Sequence, residues 1–202
     1  HALIDELVAA GIEPIVTMYH FDLPAALAGS GGWRRRETIE AFVRYAGVLF
    51  DEFGAKVRYW LTINEQNMMI LHGEAIGTVA PGEADRHRSL YQQNHHMLLA
   101  QARVMALCHE RLPQARIGPA PNIAIIYPAD CHPLDVLAAD DYGAIRNWLY
   151  LDAAVHGRYN ATAWAYLVAT GAAPQLEPGD LDILAAGRPD FVAFNYYASH
   201  TV

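Results

Sequence analysis

Apolar and polar positions alternate along this chain in two rhythms. Pro14 to Tyr19 is a short apolar, β-branched run and reads as a strand. Val57 to Ile63 (VRYWLTI) alternates with aromatic and β-branched residues and reads as a second. Between them Ile39, Phe42, Val43, Ala46, Leu49, Phe50 and Phe53 fall at helical spacing and make one apolar stripe, with Gly54 as its stop. Ala2 to Ala10 reads as an amphipathic helix ended by Gly11. A loop through Gly73, Gly77, Pro81 and Gly82 leads to a long helix from about Ser89 to Arg111, ended by Pro113. Arg116 to Pro121 follows as a strand, Leu134 to Val155 and Thr162 to Thr170 as helices, and Phe191 to Phe194 as a fourth strand.

Strands alternating with long helices imply parallel strands whose faces must be covered, so the expected class is α/β. Four strands do not close an eight-stranded barrel; they make half of one or an open sheet. No glycine-rich phosphate loop follows a strand, which argues against a nucleotide-binding doubly wound fold. The chain opens on His1, already inside a helical pattern, and ends at Thr201-Val202 directly after a strand. The expectation is one partial barrel domain over residues 1–202, an internal piece truncated at both ends.

The 202 residues are enough for a core, and a 53% hydrophobic content argues against disorder. A formal charge of −8, from 14 basic and 22 acidic residues, argues against nucleic acid as a partner. The one basic run, Arg34-Arg35-Arg36, is expected to be a solvated helix start. No apolar run approaches the roughly 18 residues of a membrane helix, and no secretory segment opens the chain, so no membrane partner is expected. Cys108 and Cys131 fit no metal or redox spacing and read as free thiols of a reducing, cytoplasmic compartment.

The candidate chemistry lies at the strand ends. The active site of a parallel barrel sits at the C-terminal ends of its strands. Here the first strand runs into Tyr19-His20-Phe21-Asp22, the second into Asn64-Glu65, the third ends near Asn122, and the fourth ends in Asn195-Tyr196-Tyr197. Glu65 is the candidate general acid/base: a protonated carboxyl there could protonate a leaving glycosidic oxygen. Asn64 and His20 are candidates for sugar hydroxyls, and Tyr197 for holding a carboxylate ionised. Trp33, Trp60 and Tyr196 offer flat faces, with packing the favoured use of Trp60. His95-His96 point about 100° apart on their helix and read as packing residues or as supports behind a site, as does His109, while His132 and His156 read as partnerless. No metal and no cofactor are expected.

Taken in order, these segments identify a family. EPIVTMYHFDLP (13–24), Gly32-Trp33, Phe53-Gly54 through WLTINE (60–65), Ala80-Pro81-Gly82, His95-His96 and DFVAFNYY (190–197) resemble glycoside hydrolase family 1, the β-glucosidases and 6-phospho-β-glucosidases. The resemblance covers almost the whole chain. It implies a (β/α)8 barrel, of which about four βα units lie here, and a retaining mechanism. It assigns Glu65 as acid/base, Asn64 and His20 to the sugar site, and Asn195 and Tyr197 to the surroundings of the nucleophile. Phe21 stands where the family usually has tryptophan, and Gln66 where plain β-glucosidases commonly have proline. The Gln66-Asn67-Met68-Met69 segment and the stretch from Tyr127-Pro128 to Val136 look more like the 6-phospho branch.

The family's nucleophile is a glutamate in a Glu-Asn-Gly segment, and these 202 residues contain no such segment. Retaining chemistry needs two carboxyl groups about 5 to 5.5 Å apart. The expectation is therefore a β-glycoside substrate for the whole enzyme, inactivity of this stretch alone, and the remainder of the barrel as its partner. A half barrel leaves sheet edges uncovered, which also invites self-association into homo-oligomers. Two other readings stand beside this one: a truncated, non-catalytic relative that binds sugar or a partner, and a cellulase-like barrel hydrolase.

Overall fold

The computed structural model describes residues 1–202. In chain order the elements are α1 (Ala2–Ala9), β1 (Ile15–Tyr19), α2 (Ala25–Gly29), α3 (Glu37–Phe53), β2 (Tyr59–Asn64), α4 (Met68–Leu71), α5 (Gly73–Ile76) and α6 (Arg86–Arg111). They continue with β3 (Arg116–Ala120), β4 (Asn122–Ile123), β5 (Ile126–Tyr127), α7 (Pro133–Gly143), α8 (Leu149–His156), α9 (Ala161–Ala169), α10 (Asp180–Ala186), β6 (Asn195–Tyr196) and β7 (His200–Thr201). A π-helical stretch, Ala144–Trp148, joins α7 to α8 without a break. The single helix expected from 134 to 155 is thus continuous but carries a bulge. No helix is long and apolar enough to cross a membrane.

β1, β2 and β3 form a parallel sheet in that order, with Val16 beside Trp60 and Trp60 beside Ile117. Side chains alternate across a strand, so Val16, Met18, Trp60, Thr62 and Ile117 share one face. That face is covered by α3, through Ile39, Phe42, Ala46 and Phe50, and by α6, through Met97, Leu98, Met105 and Cys108. The Phe50 and Trp60 rings meet edge to face at 5.2 Å. The opposite face carries Thr17, Tyr59 and Leu61 and is only half buried. Helices on one side and a half-open inner side describe a stretch of barrel wall, not the doubly covered sheet that the strand–helix alternation suggests. Burial drives the Cys108 thiol up to about 12. Neither cysteine is in a disulfide.

The expected fourth strand, Phe191–Phe194, lies in the right place but is not a regular strand. The Asp190, Ala193 and Asn195 amides donate to the carbonyls of Ile117, Pro119 and Pro121. On that edge of β3 the reciprocal donors would be residues 117, 119 and 121. Two are prolines without an N–H. The third, the Ile117 N–H, goes to the Asp190 carboxylate at 2.9 Å, which also accepts from His109 at 2.9 Å. The ladder is therefore one-way. Contact there is close: a Cβ on Gly118 would lie 2.0 Å from the Phe191 carbonyl oxygen. Regular pairing resumes with Asn122 beside Asn195 and Ile126 beside His200.

Behind α6 sits a closed polar cluster. His95 and Asp180 are fully buried, with His95 Nε2 2.8 Å from Asp180 Oδ2 and Nδ1 2.8 Å from the Tyr159 hydroxyl. Arg36 donates to both Asp180 oxygens, and the Glu177 amide donates at 2.8 Å. Burial opposes ionisation of Asp180, but donors from Arg36, His95 and Glu177 outweigh it and bring the carboxyl down to about 2. Burial lowers His95, so the imidazole is neutral. An ionised carboxylate only accepts, so Nε2 carries the proton and the Tyr159 hydroxyl donates to Nδ1. Next to it, His96 Nδ1 donates to the Trp33 carbonyl at 2.8 Å. The reading of these histidines as packing residues holds. The reading of the arginine run as solvated holds for Arg34 and Arg35, which are exposed, but not for Arg36, which is tied down by Asp180 and Glu177. His132 is not partnerless either, because its Nδ1 caps α7 at the Leu134 amide.

Candidate active site

The site is built where β2 and β3 run out. β2 holds one residue more than β3 between Leu61 and Asn64, a bulge that turns the last residues of β2. Glu65 then takes a φ of 45°, in the left-handed region that non-glycine residues rarely enter. Its amide donates to the Ala120 carbonyl at 2.8 Å, so the strand stays registered while the carboxyl is swung over the sheet end. β1 ends the same way, with Phe21 at a φ of 67°. Two neighbouring strands thus stop on strained, non-glycine residues at one rim. No proline or glycine announces either turn in the sequence.

Four of the rim residues meet. Asn195 Nδ2 donates to Asn64 Oδ1 at 2.9 Å, across 131 positions of sequence. Asn122 Nδ2 donates to Glu65 Oε1 at 3.0 Å. Glu65 is 8% exposed and takes only this one hydrogen bond. A carboxyl that is nearly buried yet keeps an unused oxygen can act on a ligand that enters the rim.

The floor beneath is a set of buried amides. Asn67 binds the Asn122 backbone on both sides, accepting its N–H at 3.0 Å and donating to its carbonyl at 2.6 Å. Asn147 does the same for Ala124. Arg146, 6% exposed, donates to the Asn122 carbonyl at 2.6 Å and to its side-chain oxygen. Arg146, Asn147 and Asn67 were not among the sequence-based candidates. The available signal was an arginine and an asparagine interrupting an apolar run, AIRNWL, at 144–149.

The other candidates stand apart from this cluster. His20 is exposed; its ring meets Phe21 edge to face at 5.1 Å and its amide donates to Asp22. Tyr197 is 75% exposed, and no hydrogen bond joins it or His20 to Glu65. The expected flat faces reduce to one, because Trp33 and Trp60 are core residues. Tyr196 is exposed, its hydroxyl 2.7 Å from Ser199 Oγ.

Residues 1–202 match the family model described as Glycosyl hydrolase family 1. The chain is 41% identical over 201 residues to aryl-phospho-β-D-glucosidase BglC of Bacillus subtilis, covering 99% of this chain and 42% of that protein. It is 37% identical over 202 residues to a 6-phospho-β-glucosidase of Dickeya chrysanthemi, again over 99% and 42%. A solved family 1 β-glucosidase from Thermotoga maritima superposes with a TM-score of 0.88 at 33% identity, over 100% of this chain and 45% of that one. The 202 residues thus span less than half the length of these proteins.

Proposed function

The chain belongs to glycosyl hydrolase family 1 over residues 1–202, and from that premise we propose that it carries the acid/base half of a retaining β-glycosidase active site. The arc of βα units is part of the family's (β/α)8 barrel. The observation that carries the proposal is Glu65: a nearly buried carboxyl, aimed over the end of β2 by a strained backbone and held by one amide.

In this reading Glu65 gives its proton to the glycosidic oxygen as the bond to the leaving group breaks. A second carboxylate attacks the anomeric carbon and forms a glycosyl–enzyme ester. Glu65, now ionised, takes a proton from the water that hydrolyses that ester. Asn64 and His20 bind sugar hydroxyls. Asn195 and Tyr197 face the second carboxylate. With no Glu-Asn-Gly within the 202 residues, that carboxylate comes from the rest of the barrel, which also covers the open edge of β1 and the half-open inner face. No cofactor enters these steps.

For the substrate we propose a 6-phospho-β-glucoside. Its support is the naming of both relatives above as phospho-β-glucosidases, together with the segments that follow Glu65 and Ile126. The free cysteines support a cytoplasmic setting.

The test is kinetic, on the complete gene product. An aryl β-glucoside 6-phosphate is expected to outrun the plain glucoside in kcat/KM. Glu65→Gln is expected to slow poor leaving groups about 10²- to 10⁴-fold and to spare activated aryl leaving groups, which need no proton. Equal slowing of both would count against the assignment, as would turnover by residues 1–202 alone.

A further inference from the structure

We propose that Arg146 is a positioning residue for Glu65, acting through Asn122 to fix the carboxyl's orientation and to favour its ionised form. The inference rests on the acid/base reading only for its kinetic consequence.

The argument begins with the asymmetry of an amide. Asn122 offers one oxygen that accepts and one nitrogen that donates. Arg146 has donors only, so the Asn122 oxygen must face the guanidinium and the NH2 must face Glu65. Arg146 therefore decides which way round Asn122 stands. The backbone of Asn122 is pinned at the same time, by a second Arg146 donor and by Asn67. With the backbone fixed, the amide cannot turn over without losing its side-chain bonds to Arg146 and Glu65. A donor held against a carboxylate stabilises the charged form, because the protonated carboxyl accepts more weakly.

The charge points the same way. Arg146 is buried without a direct carboxylate partner. Burial lowers its proton affinity; Tyr142 from α7, Tyr150 from α8 and Glu65 are the groups that counter it. Glu65 is the one carboxylate among them. A guanidinium keeps its charge at neutral pH, and a buried charge needs a counter-charge. The π-helical stretch is what brings Arg146 to this position, since it shifts the register of the helix by part of a turn at residues 144–148.

The experiment compares wild type, Arg146→Met, Arg146→Lys and Asn122→Ala in the complete gene product. Two readings are taken: the NMR titration of the Glu65 side-chain carbon, assigned by its loss in Glu65→Gln, and the pH profile of kcat/KM. Arg146→Met is expected to move the Glu65 titration midpoint up by about one pH unit. The alkaline limb of the profile should move by the same amount. Arg146→Lys keeps the charge but loses the planar fork, and should fall between the two. A purely structural role would lower activity at every pH and move neither midpoint nor limb. Where Arg146→Met does not fold, Asn122→Ala carries the test, with a smaller shift in the same direction. A midpoint within about 0.2 pH units of wild type in either folded variant overturns the proposal. A shifted midpoint in a protein without glycosidase activity upholds it and removes the acid/base reading instead.

Discussion

Asp180 and Glu65 are both buried carboxyls, and they are treated in opposite ways. Asp180 is saturated: two Arg36 nitrogens, the His95 ring and the Glu177 amide all aim at it. Glu65 has one donor, Asn122. The backbone at Asp180 opens a helix in ordinary conformation, whereas Glu65 sits in strained left-handed geometry. One carboxylate is spent on holding α6, α10 and the start of α3 together. The other is held in a costly position with its bonding capacity left over. In the same fold, the count of satisfied lone pairs separates a structural acid from an available one.

The contrast breaks most visibly at Asp180. Asp180→Ala leaves Arg36 without its buried counter-charge and the His95 Nε2–H without its acceptor, and is expected to cost about 3–5 kcal/mol, measured by urea unfolding. A loss below about 1 kcal/mol would mean that the cluster is ornamental.

Acid sharpens the same point. The folded carboxyl of Asp180 titrates at about 2, below the ordinary 3.8. Its contribution is therefore complete above pH 4 and is lost as pH falls from about 4 to about 2. That contribution amounts to about 2 kcal/mol. Unfolding midpoints across this window should fall more steeply in wild type than in Asp180→Asn.

The smallest expected effect is at Glu65. Glu65→Gln keeps an oxygen to accept from Asn122 and should change stability by less than about 1 kcal/mol, with a gain as acceptable as a loss. A drop as large as that of Asp180→Ala would erase the distinction between the two acids.

Much of this architecture is legible in the residues, for physical reasons that also mark where legibility stops. β1, β2, α3 and α6 follow from periodicity because each buries one continuous face. Asn64, Glu65, Asn122 and Asn195 stand out because polar residues at the end of apolar strands have no packing purpose. Arg146, on the π-helical stretch, and Asn67, in the turn before α4, escape because they meet Asn122 from 24 and 55 positions away. The left-handed turns at Phe21 and Glu65 are imposed by tertiary pairing, and neither residue type favours them. The residue pattern places the fourth strand correctly in the chain but predicts it to be regular. Pro119 and Pro121 were visible, but their effect depends on which edge of β3 the later segment joins, and residue spacing alone does not say that.

The one-way ladder has a mechanical consequence. A normal parallel seam carries backbone-to-backbone bonds from both sides; here they come only from residues 190–195, and the β3 side returns one bond, from the Ile117 N–H to the Asp190 side chain. With fewer backbone bonds than the β1–β2–β3 ladder, this seam opens more readily than that sheet. Asn195 rides on that seam and reaches across to Asn64. Flexing there would widen or narrow the rim beside Glu65 while the β1–β2–β3 sheet stays rigid.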